Sequence, residues 1–153
     1  MLEFASALIA NGLRLRLTAG PGGLRSLEFD PAPPCGAERN ENNLLIREAV
    51  RQLQAYFERR LRRFDLPLDL QGTDFQKRVW SELANIPYGE TRSYARIAAA
   101  IGSPRAVRAV GAANGANPMA IIVPCHRVIG SSGKLTGYGG GLPLKKRLLE
   151  LEG

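Results

Sequence analysis

Ser93-Tyr94-Ala95-Arg96-Ile97-Ala98-Ala99-Ala100-Ile101-Gly102-Ser103-Pro104-Arg105-Ala106-Val107-Arg108-Ala109-Val110-Gly111-Ala112-Ala113-Asn114-Gly115-Ala116 is the stretch on which the architecture of this chain turns. Ser93 is a helix-capping residue type, and no breaker follows until Gly102-Ser103-Pro104. Pro104 suits the start of a second helix running from Arg105 to about Ala116. Helix, tight glycine-containing turn, helix is the helix-turn-helix pattern, a weak signal alone because any two short helices produce it. The second helix carries unusually small side chains. A helix that reads the major groove offers Arg, Asn or Gln to base edges, and here only Arg105, Arg108 and Asn114 qualify. Small side chains instead let the backbone approach closely, which suits a narrow groove and shape-based binding with weak sequence preference. Tight core packing is the competing explanation for some of them.

Just downstream, Ile121-Ile122-Val123-Pro124-Cys125-His126-Arg127-Val128-Ile129 sets the only histidine beside one of two cysteines and adds a fixed cation. Thiolate is the nucleophilic form of cysteine, and a neighbouring imidazole or guanidinium is expected to lower the thiol pKa. The competing reading is an inert, small apolar residue at the edge of a core. From the dipeptide alone the two are evenly balanced.

Upstream of the paired helices, Thr73 or Asp74 caps a helix presenting Phe75, Val79, Trp80 and Leu83 on one face, ended by Pro87-Tyr88-Gly89. Trp80 at this spacing reads as core. Phe64 to Gly72 reads as a domain linker. From Asn43 to about Arg63, Ile46, Val50 (with Ala49), Leu53, Phe57 (with Tyr56) and Leu61 recur at helical spacing. The arginines 47, 51, 59, 60, 62 and 63 fall mostly outside that stripe and read as a solvated face. Leu13 to Thr18 alternates apolar and polar like a half-buried strand, preceded by the hairpin signal Asn11-Gly12. Gly20-Pro21-Gly22-Gly23 turns the chain toward Leu24-Phe29, and a Pro-rich connector spans Asp30 to Cys35. A meander of about three strands results. The expected organisation is α+β, with residues 1–70 and 71–153 as the two domains.

Charge is unevenly divided. Residues 90–153 hold nine Lys or Arg against three Asp or Glu, which accounts for +6 of the net +7. A basic second half suits contact with a polyanion. The absence of a long apolar run or a basic, apolar N-terminus argues against a membrane span or secretory signal, and a cytoplasmic protein with reduced thiols is expected.

The segment Pro124-Cys125-His126-Arg127-Val128 resembles the active-site motif of the O6-alkylguanine-DNA alkyltransferases, also called methylated-DNA–protein-cysteine methyltransferases. The resemblance extends over roughly the last eighty positions, through Thr73-Asp74-Phe75-Gln76, Ile86-Pro87-Tyr88-Gly89-Glu90-Thr91, Ser93-Tyr94, Arg105 to Gly111, Asn117-Pro118, Ser131-Ser132-Gly133 and Gly137-Tyr138-Gly139-Gly140. It implies an RNase H-like N-terminal domain and a mostly helical, winged helix-turn-helix C-terminal domain. It also implies a monomeric repair protein acting on double-stranded DNA. The protein flips O6-alkylguanine out of the duplex and transfers the alkyl group irreversibly to Cys125, once per molecule.

By the same resemblance, His126 is the base for the thiol, acting through water, and Glu152 orients it. Tyr94 helps rotate the phosphate and donates to the extruded base. Arg108 fills the space the nucleotide leaves, with Arg105, Ala109, Asn114 and Arg127 as further DNA contacts. Tyr138, Gly139 (where many members have Ser), Lys145 and the carbonyls of Cys125 and Val128 form the base pocket. Asn117 ties the recognition helix to the active-site loop. No cofactor is implied. Some members bind zinc in the N-terminal domain, but with Cys35 and no N-terminal histidine such a site cannot be assembled here. The main alternative is an alkyltransferase-like damage sensor without chemistry, against which Cys125 itself argues. A plain helix-turn-helix regulator and a thiol hydrolase explain fewer of the motifs.

Overall fold

The computed structural model describes residues 1–9, 12–29 and 36–153. They form two compact units, Met1–Gln71 and Gly72–Gly153.

In the first unit the alternating run becomes β2 (Leu13–Gly20), flanked by β1 (Leu2–Ile9) and β3 (Gly23–Phe29), both antiparallel to it. Ile9 pairs with Leu13, so the connection is short. Its expected turn residue Asn11 lies outside the described residues, as does the connector Asp30–Cys35. A fourth strand, β4 (Ala37–Arg39), pairs parallel to β1 and makes the sheet mixed, in the order β3-β2-β1-β4. Three residues are too few to show a period, which is why alternation did not reveal it.

Helix α1 (Leu44–Phe57) starts as expected, with the Asn43 side chain accepting from the Ile46 N–H at 3.0 Å. Ile46, Ala49, Leu53 and Tyr56 are its buried apolar stripe, and Val50 and Phe57 lie at the stripe's edge. The helix stops well short of Arg63. The Arg59 N–H donates to the Tyr56 carbonyl at 3.0 Å and the Arg60 N–H to the Ala55 carbonyl at 2.8 Å, the two bonds of a Schellman turn. That turn places Arg59 at φ 61°, in the left-handed region that glycine normally supplies. The arginines of this helix and turn are exposed, and Arg51 pairs with Glu48, as expected of a solvated face.

The presumed linker is largely part of this unit. The Leu24 N–H donates to the Pro67 carbonyl and the Asp69 N–H to the Leu24 carbonyl, at 2.9 and 2.8 Å. A side chain on Gly23 would lie 2.7 Å from the Pro67 oxygen, so the close approach requires glycine there. A register shift beside Ser26 lets Arg25 reach Asp69 at 3.1 Å. Gln52 exchanges hydrogen bonds with both backbone groups of Asp65.

The second unit opens with α2 (Asp74–Leu83), started by a capping box in which Thr73 and Gln76 exchange side-chain and backbone bonds. Trp80 is buried and its indole N–H donates to the Ala113 carbonyl at 2.8 Å, in keeping with its core reading. Ser93 caps α3 (Tyr94–Ala100) by accepting from the Arg96 N–H at 3.1 Å. The second helix of the pair, α4 (Val107–Gly115), begins two residues later than expected. Pro104 and Arg105 form a turn closed by the Ala106 N–H on the Ser103 carbonyl at 2.9 Å. A parallel pair, β5 (Arg92–Ser93) and β6 (Val128–Ile129), joins the start of α3 to the cysteine segment. Helix α5 (Leu142–Glu152), not read from the sequence, closes the chain. Among the described residues no helix is long and apolar enough to cross a membrane.

Arg59→Gly removes the left-handed cost at the α1 terminus and is expected to stabilise the first unit by about 0.5–1 kcal/mol, read as a shifted urea midpoint.

Candidate active site

The cysteine is delivered by a loop clamped at its root. The Asn117 amide donates to the Val123 carbonyl at 2.9 Å, and its oxygen accepts from the Met119 N–H at 3.0 Å. Within the loop, the Val123 N–H reaches the Met119 carbonyl at 3.0 Å. Ile121, fully enclosed, is held at φ 70°. A β-branched residue in that region costs on the order of 1–3 kcal/mol, which only a rigid surround sustains.

Residues Cys125–Arg127 form one 3₁₀ turn, and all three are buried. His126 has no exposure, and its Nε2 lies 2.8 Å from Glu152 Oε2. Arg127 donates to the same carboxylate twice, from Nε at 2.8 Å and Nη2 at 2.9 Å, and its Nη1 donates to the Ile86 carbonyl at 2.6 Å. The Tyr88 ring lies 5.8 Å from the guanidinium carbon, and the Tyr88 hydroxyl donates to the Leu151 carbonyl at 3.3 Å. Glu152 therefore meets a fixed cation and an imidazole together. With the carboxylate ionised by Arg127, His126 carries its proton on Nε2, which leaves Nδ1 as an acceptor. Among the described residues Nδ1 is buried without a hydrogen-bond partner.

The electrostatics reverse one expectation. Burial pushes the Cys125 thiol above its ordinary pKa, and the opposing pulls come from Asn117 and Lys145 rather than from His126 or Arg127. The adjacent guanidinium is turned into Glu152, so sequence proximity to sulfur carries no stabilisation. Burial likewise holds His126 below its ordinary pKa, against the upward pull of Glu152. At neutral pH the site holds a thiol beside a neutral imidazole.

The segment from Gly130 to Gly141 folds back over this turn. Lys145, fully buried, donates from Nζ to the Val128 carbonyl at 2.7 Å and to the Thr136 carbonyl at 3.2 Å. The Val128 carbonyl expected to receive the base thus already has one donor. Tyr138 stands edge-on to His126 with ring centroids 6.4 Å apart, and burial pushes its hydroxyl pKa well up. Gly139 is exposed, with open space where a Cβ would sit. The Tyr94 hydroxyl is hydrogen-bonded to the Thr136 hydroxyl. Nothing local in the sequence marks Thr136, and Ile86 and Tyr88 stand there only as parts of a motif and a helix end, since each partner is distant in the chain.

On α4, Arg108 and Ala109 are exposed, with Arg105 in the preceding turn and Ala112 and Gly115 continuing the same small-sided surface. Core packing accounts for Val110 and Ala113. Two of the expected DNA contacts face inward instead. Asn114 is buried on the inner side of α4, and Arg127 is only 6% exposed because Glu152 and Ile86 use its donors. Both are corrections with one cause: helix phase and a distant carboxylate override residue type.

Removing the cation strands a buried carboxylate. Arg127→Met is expected to destabilise the second unit by about 3–5 kcal/mol in denaturant unfolding.

Residues 14–70 match the family model described as 6-O-methylguanine DNA methyltransferase, ribonuclease-like domain, and residues 74–153 match its DNA binding domain. The methylated-DNA–protein-cysteine methyltransferase of Methanosarcina barkeri is 64% identical over 112 residues, spanning 73% of this chain and 71% of the relative. That of Mycobacterium bovis is 70% identical over 104 residues, spanning 68% of this chain and 63% of the relative. The crystal structure of Mycobacterium tuberculosis OGT in complex with DNA is similar with a TM-score of 0.87 and 53% identity, covering 99% of this chain and 91% of that one. With both domains matched and a cysteine seated between an asparagine clamp and a histidine–glutamate pair, this chain belongs to the methylated-DNA–protein-cysteine methyltransferases, whose function is alkyl transfer from DNA to their own cysteine.

Proposed function

We propose that Cys125 is the acceptor of an alkyl group from O6-alkylguanine in double-stranded DNA, with His126, Glu152 and Tyr94 completing the chemistry. The observation that carries this reading is the buried Cys125 thiol one residue from an imidazole whose Nε2 is fixed by Glu152 and whose Nδ1 is an unused acceptor. A thiol pushed up by burial is a poor nucleophile until a base takes its proton. His126 Nδ1 is that base, reached through one water, and Glu152, held in place by Arg127, steadies the imidazolium that forms.

The sulfur–carbon bond forms as the carbon–oxygen bond to guanine breaks, and the electron pair leaves on the base. The proton lost from sulfur is balanced by the one guanine acquires. Tyr94, at the N-terminus of α3, is the donor toward the departing base. Lys145 favours the thiolate through its charge and props the pocket segment through the Val128 and Thr136 carbonyls. A thioether is a poor leaving group, so each molecule acts once.

A base stacked in a duplex cannot reach a thiol enclosed in this way, so the nucleotide must be flipped out. The small-sided surface of α4, with exposed Arg108 and Ala109, suits close approach to the minor groove, and Arg108 fills the vacated stack. Arg105 adds a phosphate contact. The complex of the Mycobacterium tuberculosis relative with DNA supports DNA as the partner. The reading is of a monomer working in the cytoplasm without a cofactor.

Intact-mass measurement after incubation with a duplex carrying one O6-methylguanine tests this. One added methylene per molecule is expected for the wild type and none for Cys125→Ala. Unchanged mass with retained lesion binding would make the protein a damage sensor and overturn the proposal.

A further inference from the structure

Tyr94 and Lys145 come from different helices, yet both are attached to one residue. The Thr136 side chain binds the Tyr94 hydroxyl, and its carbonyl accepts from Lys145 Nζ at 3.2 Å. The Thr136 methyl faces Gly130, where an added Cβ would lie 3.7 Å from it. Neighbouring turns fix this geometry: the Gly130 N–H donates to the Lys134 carbonyl and the Gly133 N–H to the Gly130 carbonyl, each at 2.9 Å. A β-branched side chain has few χ1 rotamers, so the hydroxyl bonded to Tyr94 is aimed.

We infer that Thr136 is a positioning residue for alkyl transfer, its hydroxyl donating to the Tyr94 oxygen so that the tyrosine proton points at the departing guanine. The inference rests on the reading of Tyr94 given above. Each of the two hydroxyls has one proton. If Tyr94 donates to Thr136, its proton is spent within the protein. If Thr136 donates to Tyr94, the phenolic proton is available to the base, and an extruded base with an acceptor selects that arrangement.

As the carbon–oxygen bond breaks and negative charge moves onto guanine, Tyr94 shares its proton with the base and charge gathers on the phenol oxygen. The Thr136 hydroxyl, already aimed there, stabilises that charge without reorganising, and its own proton stays on the threonine oxygen. The same residue's main-chain bond to Lys145 is independent of the hydroxyl, so the side chain is separable by substitution.

The test is a double-mutant cycle read by single-turnover transfer from an O6-methylguanine duplex, with duplex affinity measured separately in a Cys125→Ser background. Thr136→Val is expected to slow transfer roughly tenfold while leaving the dissociation constant within about twofold. Thr136→Ser restores transfer to within about threefold of wild type. In a Tyr94→Phe background Thr136→Val has no further effect, because the hydroxyl has lost its partner. A Thr136→Val rate equal to wild type, an equally slow Thr136→Ser, or an undiminished tenfold loss in the Tyr94→Phe background would each overturn the inference while wild-type transfer stands. Absence of transfer by the wild type would instead overturn the proposed function, and this inference with it.

Discussion

The Glu152 carboxylate is the constraint from which the rest of the site follows. It sits at the end of the last helix, buried, and accepts from Arg127 twice and from His126 once. A lone buried carboxylate is strongly disfavoured, so α5 is held where those donors are, and the cysteine turn where the carboxylate is. The Arg127 bond to the Ile86 carbonyl and the Tyr88 bond to the Leu151 carbonyl extend the tie to the turn after α2. One ion pair thereby joins the end of the chain, the 3₁₀ turn and the helix that packs under α4.

This arrangement resolves an apparent conflict between burial and reactivity. A protein consumed by its own reaction is best served by a thiol that is not ionised before its substrate arrives. Burial keeps Cys125 protonated, and the nearby cation, Lys145, offsets only part of that. The imidazole proposed as the base is also uncharged at rest, because burial lowers the His126 pKa. On the proposed reading, reactivity then depends on proton transfer within the site. The strained Ile121 loop and the Asn117 clamp hold in place the loop that delivers Cys125.

What could be read from the chain follows the distance over which each signal acts. The helix-turn-helix was legible because its signals are local: Ser93 caps, Gly102 and Pro104 break, and small residues repeat. The thiol, the histidine and their glutamate were legible through family motifs at matching spacing. Helix α1 was overrun because its stop is a backbone conformation at Arg59, a residue type that announces no stop. Residues 64–69 read as a linker because their partner, Leu24, is remote in sequence. Arg127 and Asn114 read as DNA contacts because arginine and asparagine look alike on a surface and in a core until a distant carboxylate or a helix phase decides. Thr136 carries no local signal for the same reason, its hydroxyl partner lying 42 residues away.

The most direct test of the internal-base account is the pH dependence of single-turnover alkyl transfer by the wild-type protein. With a thiol held above its ordinary pKa and an imidazole held below, proton transfer inside the site makes the rate nearly flat between about pH 7 and pH 8.5, falling only in acid as His126 protonates. A rate climbing about tenfold per pH unit across that range would mean that solvent ionises Cys125 directly, and would contradict the role given to His126 and Glu152.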